Sequence, residues 1–249
     1  MNDALKAHKP TIGPWSALLL FIAVFAGVYV AVKAGQARAM LHFDLSNPRA
    51  MVAFRASGSI LLIWVEVAAL YFLLKLRGQR FANLGWRKRA PVWGWLAAAI
   101  AFAIYAGFSF SGPMLKGAPF LTDWSAFRIL TALGIGITAG FGEELIFRGF
   151  VMTGARDGGA PTWVQVLLSA LLFGIAHGGW GGMTANFSIG SMIGAIAGTS
   201  ILGLMLALVY VASKRSLMPA MFAHGLIDLV IEPWLMLFAV SGGFERLHP

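Results

Sequence analysis

The chain has 249 residues, 59% of them hydrophobic and 12% charged, a formal net charge of +9 and a mean hydropathy of +0.77. A soluble domain carries about 25% charged residues, so this composition excludes a soluble protein and predicts an all-α polytopic transmembrane bundle. Its long, continuous apolar runs exclude a β-barrel, whose segments alternate over about 10 residues. Its basic residues stand between those runs, which excludes nucleic acid as a partner.

Taken in order, the apolar stretches are 15–32, 57–76, 92–110, 129–156, 163–178, 189–211, 217–231 and a short 234–240. At 1.5 Å per residue the last is too short to cross alone and reads as a half-span or an interfacial segment. We therefore expect seven to eight spans in a single integral-membrane domain, 1–249, with no internal repeat and no linker. Lys6 and Lys9 precede the first stretch, and Ala37-Arg38-Ala39 loosely imitates a signal-peptidase site. Six or more spans follow, which favours a retained signal anchor over a cleaved peptide.

Lys and Arg set the orientation. With the N-terminus in the cytoplasm, that side receives twelve basic residues, including the cluster from Lys75 to Arg89, and the other side receives six, Arg148 being intramembrane. The positive-inside rule therefore predicts an N-terminus-in topology; the expected location is a bacterial cytoplasmic (inner) membrane. The Lys75–Arg89 cluster reads first as a topology determinant and second as a polybasic patch for lipid or substrate. Trp86, Trp93 and Trp95 suggest an interfacial aromatic belt. The Gly-rich run 178–182 reads as a loop that either gates entry or merely turns.

Charged groups inside spans cost several kcal/mol and persist where they are paired or line a polar cavity. Here they are Glu143, Glu144, Arg148, His177, His224 and Asp228, with Glu66 standing apart in the second stretch. Glu144 and Arg148 are four residues apart, as are Phe173 and His177, and His224 and Asp228, so each pair shares a helix face. Counted from the cytoplasmic ends of their stretches, Glu143 and His177 lie about 20 Å deep, with His224 and Asp228 about 10 and 17 Å deep. Three helices thus bring polar groups to broadly similar depth, predicting a polar cavity within the membrane.

The plainer reading makes these residues structural helix contacts, each worth of order 1 kcal/mol. That suffices for Glu144 with Arg148. It accounts poorly for Glu143, two histidines and Asp228, because Ser and Thr would bind helices at lower energetic cost. Glu and His together suit hydrolysis, in which a carboxylate or a metal activates water and a His shares its proton. They are also zinc ligands. The chain has no cysteine, hence no disulfide, thiolate nucleophile or Cys-ligated zinc. It lacks both a His-Glu-x-x-His helix and a Gly-x-Ser-x-Gly elbow. Ser169 has no evident base.

Three motifs stand in order: Glu143-Glu144-Leu145-Ile146-Phe147-Arg148, Phe173-Gly174-Ile175-Ala176-His177 and His224-Gly225-Leu226-Ile227-Asp228. They resemble the Glu-Glu-x-x-x-Arg, Phe-x-x-x-His and His-x-x-x-Asn/Asp motifs of the CAAX protease and bacteriocin-processing family (CPBP, or Abi), intramembrane proteases that include the eukaryotic Ras-converting endopeptidase. The resemblance covers about 129–232, the expected catalytic core; the first three stretches match in hydropathy alone. It implies an intramembrane endopeptidase acting on a membrane-associated protein or peptide, lipidated in the eukaryotic relatives. Carried over, it implies that Glu143 and His177 activate water, that Glu144 with Arg148 orients the site beside Phe173, and that His224 and Asp228 face the oxyanion. The prenyl-protein enzymes usually have Asn where this chain has Asp228. An ionised Asp would repel an oxyanion, so Asp228 must hold a proton, pair with Arg148 or a His, or bind a metal. Divalent metal, zinc, at Glu143, His177, His224 and Asp228 stays open at this point.

Two functional classes remain. One is the endopeptidase. The other is a non-catalytic membrane protein, such as a bacteriocin-immunity factor, a scaffold or a proton-coupled transporter, although the transporter's repeats are missing. Adjacent helical residues point about 100° apart. Glu144 is explained by Arg148, and Glu143 is left to face the histidines.

Overall fold

The computed structural model describes residues 12–44, 46–115, 125–178 and 189–231. They form α1 (Pro14–Ala39), α2 (Pro48–Leu76), a 3-10 turn (Phe81–Leu84), α3 (Val92–Leu115), α4 (Ala126–Glu144), a π-helical segment (Leu145–Val151), α5 (Met152–Asp157), α6 (Thr162–Ala176), α7 (Ile189–Ala212) and α8 (Met218–Val230). No strand occurs among the described residues, and the all-helical bundle agrees with the composition. Lys6, Lys9, most of the Gly-rich run and the stretch 234–240 lie outside the described residues.

Five rods are long and apolar enough to cross a bilayer: Pro14–Ala39, Arg49–Leu76, Val92–Ser111, Ile129–Asp157 and Met192–Ala212. The fourth combines α4, the π segment and α5 end to end. Helices α6 and α8 have 15 and 13 residues, or about 22 and 20 Å, short of a hydrocarbon core of about 30 Å. Outward-facing apolar side chains such as Val92 and Phe108, 78% and 79% exposed, suit a lipid-facing surface rather than water.

Helix ends differ from the expected ones where local chemistry overrides hydropathy. Helix α2 begins at Pro48, nine residues before the apolar stretch, because Pro48 opens the first turn and the Asn47 side chain accepts a hydrogen bond from the Arg49 N–H at 2.9 Å. Helix α1 continues to Ala39, so Ala37-Arg38-Ala39 forms its last turn.

The segments assigned to the cytoplasmic side do gather at one end. Trp15 Nε1 donates to the Gly158 carbonyl at 3.0 Å, Lys88 Nζ to the Lys214 carbonyl at 2.6 Å and Ser216 Oγ to the Lys88 carbonyl at 2.6 Å. The loop after α2 is packed in, with Leu84 buried and the Tyr210 hydroxyl donating to its carbonyl at 3.1 Å. Trp86 is half-buried and packs edge-on against Phe141, with centroids 5.0 Å apart. Trp93 stays 73% exposed.

Helices α4 and α8 cross with their backbones in contact. A Cβ on Gly140 would lie 2.9 Å from Gly225 Cα and from the Met221 carbonyl oxygen, and one on Gly136 would lie 2.8 Å from the Gly225 carbonyl oxygen. Small residues allow this approach between membrane helices. Gly140→Val should force the pair apart at about 1–3 kcal/mol, read as a lower thermal midpoint of the purified protein in detergent. A midpoint equal to wild type would contradict the close crossing.

Candidate active site

The last two residues of α4 are Glu143 and Glu144, and the chain then widens into the π segment, whose seven residues are all buried. Single π turns inside α-helices occur often at functional sites. This one carries Arg148, fully buried and triply held. Its Nη1 donates to Glu144 Oε1 at 2.8 Å, its Nη2 donates to the Gly203 carbonyl on α7 at 2.9 Å, and its guanidinium lies 4.5 Å from the Phe173 ring centroid. An arginine without membrane-exposed surface needs such partners.

Glu144 Oε1 also accepts from His224 Nδ1 at 2.8 Å, across from α8. That oxygen already accepts from a guanidinium, so the imidazole supplies the proton and Nδ1 carries it. His224 Nε2 is thereby turned toward Glu143 Oε2, at 3.9 Å, and Asp228 Oδ2, at 3.6 Å. Of the partners expected for Asp228, the structure supplies the histidine, whereas the Arg148 bonds go to Glu144 and Gly203.

His177 caps α6. Its Nδ1 lies 2.7 Å from the Phe173 carbonyl, which can only accept, so this nitrogen too carries the proton. His177 Nε2 faces Glu143 Oε2 at 3.6 Å. Phe173 joins the parts, with its ring 4.4 Å from that of His177 and 5.6 Å from that of His224. All seven residues singled out for the site therefore lie in one cluster.

Glu143 Oε2 thus stands before two imidazole nitrogens, both oriented by bonds on the far side of their rings. Among the described residues this buried oxygen has no hydrogen-bond partner. At 3.6 and 3.9 Å the gaps exceed a direct hydrogen bond. The donors are of zinc-binding type, but no three of them reach metal-binding spacing among the described residues.

A cavity of about 80 Å³ leads to Glu143 and His177, and its other polar walls are Tyr29, Lys33, Arg55, Ser59 and Glu66. Phe25, Tyr29, Phe147 and Ala176 also border an apolar slot of about 220 Å³ between α1 and α6. Sequence reasoning counted Lys33 and Arg55 among the six basic residues of the far side, just outside the first two apolar stretches, and left Glu66 aside; their spacing carries no motif. Ser169 donates its hydroxyl to the Phe147 carbonyl inside the π segment at 3.0 Å. The serine four residues before Phe173 was visible in sequence, but the π register it supports was not.

Residues 124–230 match the family model described as type II CAAX prenyl endopeptidase Rce1-like. No curated protein and no solved structure matches the chain. The matched residues span α4 to α8 and contain all three motifs, in agreement with the resemblance read from sequence. Over residues 124–230, this integral-membrane chain is thus similar to the type II CAAX prenyl endopeptidases of the Rce1-like family.

Proposed function

We propose that the protein is an intramembrane endopeptidase that hydrolyses a peptide bond of a membrane-associated protein or peptide with water activated by Glu143 and His177. The observation that carries this reading is the placement of Glu143 Oε2 within 3.6 and 3.9 Å of the Nε2 atoms of His177 and His224, with both Nδ1 atoms engaged elsewhere. A water held there gives one hydrogen to Glu143 Oε2 and the other to the His177 Nε2 lone pair, which leaves an oxygen lone pair for attack.

In the reaction, Glu143 takes one proton from the water as its oxygen bonds to the carbonyl carbon and the C=O electron pair moves onto oxygen. The oxyanion is met by His224 from Nε2 in its imidazolium form, with Glu144 on its other nitrogen and Asp228 beside it. This arrangement meets the difficulty of an aspartate at position 228: the imidazolium stands between its charge and the oxyanion. Glu143 then protonates the leaving nitrogen as the C–N bond breaks. Glu144, held by Arg148, fixes the tautomer and tilt of His224 without touching substrate.

The apolar slot beside the cavity suits the hydrophobic part of a substrate, whether a transmembrane segment or an attached lipid chain. The basic end of the bundle supports a cytoplasmic N-terminus in a bacterial inner membrane. Comparing membrane proteomes of cells carrying wild type or Glu143→Gln tests the reading: an uncut precursor should accumulate in the variant. Identical proteomes, with the cellular phenotype intact after substitution of all three motifs, would favour the immunity or scaffold reading.

Among the described residues no three His, Asp or Glu side chains are grouped to hold a metal ion, and no step above runs through one. Treatment of the purified enzyme with a strong zinc chelator should leave its cleavage rate within about twofold of the untreated rate, below the tenfold or greater losses typical when a metal-site partner is removed. Loss of cleavage that added zinc restores would make Glu143, His177, His224 and Asp228 a metal centre instead.

A further inference from the structure

The family match begins after α3, yet α2 sends a carboxyl group into the catalytic cavity. Glu66 lines that cavity with Glu143 and His177 and is 3% exposed. Ile63 and Val67, on the same face of α2, close over Gly142, the neighbour of Glu143: a Cβ on Gly142 would strike the Ile63 side chain and lie 3.2 Å from a Val67 methyl. The bare backbone at Gly142 therefore lets the Glu66 turn of α2 pack against the Glu143 turn of α4, and both carboxyls line the one cavity. Among the described residues, Glu66 Oε1 and Glu143 Oε2 are both buried without a hydrogen-bond partner. The other titratable or charged groups in this cavity are Tyr29 and Lys33 from α1, Arg55 from α2 and His177 from the end of α6.

Hydrolysis leaves such a cavity with a proton to dispose of. Water contributes two hydrogens. Glu143 carries one to the leaving amine, and the second stays on the newly formed carboxylic acid. That acid must ionise before its carboxylate can leave a site walled by apolar side chains, and Glu143 must return to its starting state. We propose that Glu66 is the second working carboxyl of the site: it accepts the product acid's proton and exchanges it with Glu143 and with the cavity mouth through water. The proposal rests on the hydrolytic reading above. It makes Glu66 a proton-handling and positioning residue, and gives α2 a part in a chemistry whose motifs all lie in later helices.

Two measurements test it, one of them independent of cleavage. Infrared difference spectra between acid and alkaline pH should be recorded for wild type, Glu66→Gln, Glu66→Asp and Glu143→Gln in lipid nanodiscs. Glu66→Gln should lose one carboxyl band and move the titration midpoint of the Glu143 band by about one pH unit or more, as expected for coupled sites; Glu66→Asp should keep both bands. The second measurement follows cleavage of the precursor identified in the proteomes. Glu66→Gln should lower kcat about tenfold or more, with KM and the single-turnover rate within about threefold of wild type, and Glu66→Asp should restore kcat. An unmoved Glu143 band, or a single-turnover rate that falls as far as kcat, would overturn the proposal. A wild type that cleaves nothing would sink the hydrolytic reading itself, whereas the infrared coupling is read without it.

Discussion

Purified Glu143→Gln protein should cleave its substrate about 10³-fold more slowly than wild type, with an unchanged thermal midpoint. Gln fills the same volume and keeps an oxygen in front of His177 and His224, but it cannot take a proton from water. General base catalysis of this kind contributes about 10²–10⁴-fold. The fold has little reason to respond, because the hydrogen bonds that hold the cluster together run through Glu144, not Glu143. His177→Ala should be similarly inactive and equally folded. Cleavage by Glu143→Gln within tenfold of wild type would remove Glu143 from the chemistry.

Arg148→Met should have the opposite profile, failing in stability before catalysis can be judged. Removing the guanidinium leaves the Glu144 carboxylate with His224 alone, the Gly203 carbonyl without its donor and the Phe173 ring without its cation. Breaking one side of a buried ion pair costs about 3–5 kcal/mol, enough to remove much of a marginal protein's stability. Thermal unfolding in detergent should show a large loss. The double variant Glu144→Gln with Arg148→Met should recover part of it, because no uncompensated charge then remains. A double variant no more stable than Arg148→Met would show that the guanidinium contributes through packing rather than through charge. Arg148→Lys should recover little, since an ammonium cannot reach Glu144 and Gly203 as a planar fork does.

The helical bundle was legible from hydropathy because a lipid-facing helix must be apolar along its whole length, whatever its contacts. Grouping of the polar residues was legible from their four-residue spacing, which puts each pair on one face. Three things were hidden. The start of α2 depends on Asn47 and Pro48, a cap that hydropathy does not register. The π segment leaves no sequence mark, because it differs from an α-helix by one residue per turn and is held by partners such as Ser169 from another helix. Glu66, Lys33 and Arg55 reach the cavity through tertiary packing of α1 and α2, and no local pattern encodes where two helices meet. The contact of Trp86 with Phe141 was equally hidden, because no local pattern pairs a loop tryptophan with a ring on α4.

The glycine crossing of α4 and α8 acts as a mechanical detent. Gly225 sits beneath Gly136 and Gly140 with no side chain between the backbones, and its chain neighbours are His224 and Leu226. Sliding α8 by even one position would drive one of those Cβ atoms into the α4 backbone. The spacing between Glu144 and His224, one glutamate past the notch and one histidine before it, is thus locked as on an indexed slide, without any covalent link.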